Sequence, residues 1–89
     1  MKLTELDIYE MRQWFESLLN RAQKVDKRTK MRMRRKIRDE IFLLLTWEQP
    51  SPTSIMHRWE DRLFDVFAVM PYGFKDEMLQ MLSKKMEKR

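Results

Sequence analysis

Apolar residues recur along this chain every three or four positions, in four blocks separated by breaks. In the first block Ile8, Met11, Phe15, Leu18, Ala22 and Val25 form one stripe, widened by Trp14 and Leu19. That spacing is the signature of an amphipathic helix with one buried face. The start of the block is well marked. Thr4 stands at the N-cap with Asp7 at N3, the two positions of a capping box. Leu3 and Ile8 occupy the N′ and N4 positions of a hydrophobic staple. Glu5 and Asp7 place negative charge at the positive end of the helix dipole.

The second block predicts a helix over Lys27 to Glu48, capped by Asp26. Met33, Ile37, Ile41 and Leu44 fall within about 80° of arc at 100° per residue. Its two halves differ. The first is basic over most of the remaining circumference. The second, Ile41 to Leu45, is apolar on every side, which calls for a central core position or an oligomer contact. No Gly or Pro separates the first two blocks. One continuous helix from Thr4 to Glu48 would be about 67 Å long and could not bury both stripes in a compact monomer. A tight helical hairpin is the favoured arrangement, and a long helix in a homodimer is the alternative.

Pro50 and Pro52 then break the pattern, since proline removes a backbone donor and restricts the residue before it. Ser51 caps a third helix with Pro52 at N1, where a missing N–H costs nothing. Ile55, Trp59, Leu63, Val66, Phe67 and Met70 form its apolar face, and His57, Arg58, Glu60, Asp61, Arg62 and Asp65 its polar one. Met70-Pro71-Tyr72-Gly73 marks a turn. A fourth helix follows, with Phe74, Met78, Met81, Leu82 and Lys85 on one side. Asp76 and Glu77 sit early in it, and Lys84, Lys85, Lys88 and Arg89 late, as the dipole favours. The expected fold is all-α: a compact bundle of about four helices forming a single helical domain over residues 1–89.

Composition supports that class. In 89 residues there is one Gly, too few for the turns of a many-stranded β fold. The chain has no Cys, which excludes disulfide staples, thiolate catalysis and Cys-ligated zinc. A disulfide-free small domain suits a reducing cytoplasm. MKLTELDIYE has no continuous apolar segment of the signal-peptide kind. The longest apolar run, Ile41 to Leu45, is far below the roughly 20 residues that span a bilayer, so a membrane partner is not expected.

Charge changes the picture most. Lys24 to Arg38 holds nine of the nineteen Lys and Arg residues and one acid, Asp26, for a segment charge of +8 within a total of +5. The rest of the chain is therefore mildly acidic. From Lys27 onward five of the eight cations are Arg, whose planar fork pairs bidentately with phosphate or carboxylate. Arg28, Arg32, Arg35 and Arg38 share one outward sector of the helix, with Lys36 extending it and Arg34 at its border. Lys27, Arg28 and Lys30 lie in the first turn, where the dipole disfavours cations by a few tenths of a kcal/mol each. An external anion would offset that cost. Lys27, Arg28, Arg32, Arg34, Arg35, Lys36 and Arg38 are thus the candidate binding residues. No aromatic residue interleaves them, so base stacking is not indicated, and binding to nucleic acid would be to the backbone without sequence specificity.

Catalysis is poorly served. The one histidine, His57, has Asp61 one turn on, but a solvated surface histidine is the simpler account. The paired carboxylates Asp39-Glu40, Glu60-Asp61 and Asp76-Glu77 point about 100° apart and do not converge. One glycine cannot build a phosphate loop. No cofactor or metal is expected. Nine methionines form a second unusual feature, and methionine adapts to irregular binding surfaces. Phe42, Trp47, Met78, Met81 and Met86 are accordingly candidates for a protein interface.

The expectation is a non-enzymatic binding protein that lays an arginine face on nucleic acid or a nucleoprotein. The alternative is a regulator or inhibitor, a phage- or plasmid-type modulator, docking on an acidic face of a larger protein.

Overall fold

The computed structural model describes residues 3–22 and 24–87. Thr4 does cap the first helix, α1 (Glu5–Arg21). The Asp7 backbone N–H donates to the Thr4 hydroxyl at 3.2 Å, and the Thr4 N–H donates back to the Asp7 carboxylate at 2.9 Å. Leu3 and Ile8 are both buried, as the staple requires.

The first two helices are a hairpin. α1 ends at Arg21, and α2 (Lys27–Phe42) begins after Asp26, whose carboxylate accepts the Thr29 N–H at 2.7 Å. The chain reverses without glycine because Lys24 adopts a left-handed backbone, φ 63°. A side chain there costs roughly 1–2 kcal/mol, which the packing of two amphipathic faces offsets.

The helix expected to reach Glu48 stops earlier as an α-helix. It gives way at Phe42 to a 3₁₀ turn over Leu43–Thr46. The Thr46 hydroxyl donates to the Leu43 carbonyl at 2.9 Å within this turn. The apolar run is not wholly central either. Ile41 and Leu44 are fully buried, whereas Phe42 and Leu43 are exposed.

Ser51 and Ser54 form the capping box of α3 (Pro52–Arg62). The expected third helix is interrupted: Leu63 departs from helical geometry (φ −115°, ψ 33°), and a single turn, α4 (Phe64–Phe67), follows. No Gly or Pro announces this break. Gly73 supplies the positive φ, 83°, that the next turn needs, and α5 (Phe74–Glu87) completes the fold. Lys88 and Arg89, expected at its C-terminal end, lie outside the described residues.

The helices share one core. α1 packs on α2 and on the 3₁₀ turn, and α3 packs on α4 and α5. Trp59 stands fully buried within it, its ring edge-on to Phe15 at 5.2 Å. Phe15 in turn meets Trp14 edge-on at 5.0 Å. No charged or polar residue is buried among the described residues, so the cations among them remain at least partly exposed. The radius of gyration, 12.6 Å, agrees with the roughly 12 Å expected of a compact chain this long.

Candidate anion-binding groove between the first two helices

α2 is held on both flanks by its own charges. On one side the Arg34 Nε donates to Glu16 of α1 at 2.7 Å, and its Nη2 donates to the Asn20 amide oxygen at 3.3 Å. On the other side Lys36 Nζ lies 3.0 Å from both carboxylate oxygens of Asp65 in α4. Glu40 accepts from Arg58 of α3 at 3.2 Å. Arg34 and Lys36, two of the candidate binding residues, are therefore engaged within the bundle.

The remaining cations face outward. Lys27, Arg28, Arg32 and Arg35 are exposed and, among the described residues, make no salt bridge. Arg38 meets only its neighbour Asp39, at a long 3.4 Å and in solvent, where such a pair is worth little. Asp26 also feels this charge. Hydrogen bonds from the Thr29 side chain and backbone, helped by Arg32, hold its carboxyl below the ordinary 3.8. The cap is thus an anion at the crowded start of α2, and it relieves part of the unfavourable placement of Lys27, Arg28 and Lys30.

The Glu16–Arg34 pair sets the register of the antiparallel helices. One turn away on each helix, that register brings Arg12 of α1 level with Arg38 of α2. An open cleft of about 360 Å³ lies between them, lined by Arg12, Glu16, Met31, Arg34, Arg35, Ile37 and Arg38. Four guanidinium groups thus surround one concavity. Its single acid, Glu16, is already neutralised by Arg34. Arg12 and Arg35 form no salt bridge among the described residues, and Met31 is exposed at the rim. Unpaired guanidinium groups on two walls are suited to bidentate capture of an oxyanion.

Arg12 was not among the residues expected at the site. It sits on a helix of mixed charge, and only the interhelical register joins it to the basic segment. Its single legible signal is its place one turn before Glu16 on the same flank of α1.

The expected protein-interface residues divide. Phe42 is exposed. Trp47 is half-buried against the core, beside a second cleft with Leu43, Thr46 and Arg58. Met81 and Met86 are half-buried and pack on the core. Met78 is fully buried, so it is a core residue and presents no surface. The reason is that α5 packs on α3, which turns its centre inward, while at its surface Lys85 pairs with Glu10 and Glu77 approaches Arg21 of α1 at 3.9 Å.

His57 is exposed, with its Nδ1 3.6 Å from Glu60 rather than beside Asp61. Among the described residues no group of His, Asp and Glu is placed to hold a metal ion. No helix among them is long and apolar enough to cross a membrane. Comparison with protein-family models, with curated proteins and with solved structures finds no match in any of the three.

Proposed function

We propose that this protein acts by binding, without catalysis, and that it lays the arginine face of α1 and α2 on the phosphate backbone of nucleic acid. The convergence of Arg12, Arg35 and Arg38 on one open cleft, with no acid left unneutralised inside it, carries this reading. Arg28 and Arg32 continue the same face toward the start of α2. Five arginines are then open to phosphate: four form no ion pair among the described residues, and Arg38 has only its long, exposed contact with Asp39. Engaging about five duplex phosphates gives a slope of log affinity against log salt near −4.5.

The test is titration of labelled mixed-sequence DNA and RNA across a salt series. Binding that weakens steeply with salt, and that Arg35→Glu with Arg38→Glu abolishes, supports the proposal. No binding to either polymer at low salt refutes it.

The exposed Phe64 and Tyr72 favour a second reading, a regulator that docks on an acidic protein face. Large exposed aromatics are common at the centres of protein interfaces, with arginines supplying the rim and the on-rate. The same double variant separates the two: a regulator loses capture of its protein partner and shows no oligonucleotide binding to lose.

A further inference from the structure

Resting on the nucleic-acid reading, we infer that the groove takes a single strand, with phosphate clasped between Arg12 and Arg38 and a base stacked on Phe42. Helical spacing sets two exposed aromatic residues, Phe42 and Tyr9, about one turn beyond the arginines that line the cleft, although neither lines the cleft itself. Phe42 follows Arg38 by one turn of α2, about 6 Å along the axis, and is 63% exposed. Tyr9 precedes Arg12 by about one turn of α1 and is 58% exposed. The register that sets Arg12 opposite Arg38 also brings Tyr9 level with position 41, one residue from Phe42. Along both helices, therefore, an exposed aromatic residue stands about one turn from an arginine of the cleft, in the same direction.

A single strand offers both partners at that spacing: phosphate for the guanidinium forks and an unstacked base for a ring. Base–aromatic stacking with a cationic track is the general basis of single-strand binding, and it tolerates any sequence. A duplex keeps its bases stacked inside and shows these rings only sugar and phosphate.

Fluorescence polarisation of the full chain tests this, using a labelled mixed-sequence 15-nucleotide strand, as DNA and as RNA, and the matching duplex at one low salt concentration. The strand is expected to bind several-fold more tightly than the duplex. Phe42→Leu keeps the apolar bulk and removes the ring face. It is expected to weaken strand binding about tenfold, the order of one base stack, and to leave duplex binding unchanged. Tyr9→Leu is a second, independent probe of the other helix, and an unchanged thermal midpoint confirms that each variant folds. Equal or tighter duplex binding overturns the inference, as does unaltered strand binding by both variants. In those cases the phosphate reading stands. If no oligonucleotide binds at all, both fall together.

Discussion

Arg34 and Arg35 are neighbours in sequence with opposite roles in the structure, and alanine substitution of each separates them. Arg34 makes a 2.7 Å charged hydrogen bond to Glu16 and a 3.3 Å bond to Asn20. Both partners of the ion pair are more than one-third exposed, so solvent screens the attraction. An exposed pair contributes up to about 1 kcal/mol, and the good geometry places this one at the upper end. Arg34→Ala is therefore expected to cost about 1 kcal/mol, or roughly 4–8 °C in thermal midpoint for a chain of this size. Arg35 makes no salt bridge among the described residues and lies three residues from both Arg32 and Arg38. Like charges at that spacing destabilise a helix by about 0.2–0.5 kcal/mol a pair, so Arg35→Ala is expected to raise the midpoint slightly. A double-mutant cycle with Glu16→Ala isolates the pair, because the second substitution then has little left to remove. Circular dichroism melts at low and high salt supply the data, and the Arg34 effect shrinks as salt rises. Additive losses for Arg34→Ala and Glu16→Ala would refute the clamp, and so would a loss for Arg35→Ala as large as that for Arg34→Ala. In nucleic-acid titrations Arg35→Ala is expected to reduce the salt slope by about 0.9.

Three further outcomes follow from the packing and the charges. Burial alone would raise the Asp65 carboxyl, but the hydrogen bonds and charge of Lys36 outweigh it and hold the group below its ordinary 3.8. A lowered folded value contributes stability that is complete above about pH 4 and is lost as pH falls through the folded value. The drop in melting temperature on acidification to about pH 3 is therefore expected to be smaller in Asp65→Asn, and an equal drop counts against the Lys36–Asp65 bridge. Met78→Ala should cost about 2–5 kcal/mol, measured by urea unfolding, because Met78 is fully buried; a loss of well under 1 kcal/mol would mean that α5 does not seal the core as described. Lys24→Gly should raise stability by up to about 1 kcal/mol, the left-handed strain relieved less the added freedom of the unfolded chain, and a lower melting temperature would contradict the positive φ.

Local chemistry made much of the fold legible. Caps act within four residues, so Thr4, Asp26 and Ser51 marked three helix starts from their own neighbourhoods. Periodicity marked the buried stripes for the same reason, and Met33, Ile37, Ile41 and Leu44 are all buried. The hairpin at Lys24, the 3₁₀ turn at Leu43–Thr46 and the bend at Leu63 carry no Gly or Pro. They are imposed by packing between distant segments, which leaves little mark on residue type. Met78 escaped for a related reason: methionine suits both a core and an interface, and only the packing of α5 on α3 decided between them.

Residue spacing alone specifies that the chain forms amphipathic helices, and that one of them concentrates the positive charge on its outward side. Both are properties of a single helix, set by spacing and by residues a turn apart. Which of those charges remain free was decided by the tertiary structure alone. Arg34 and Lys36 find Glu16 and Asp65, 18 and 29 residues away, and Arg12 joins Arg38 through the register of two antiparallel helices. A charge keeps or loses its freedom according to what lies opposite it in space, and that is fixed only when the helices pack.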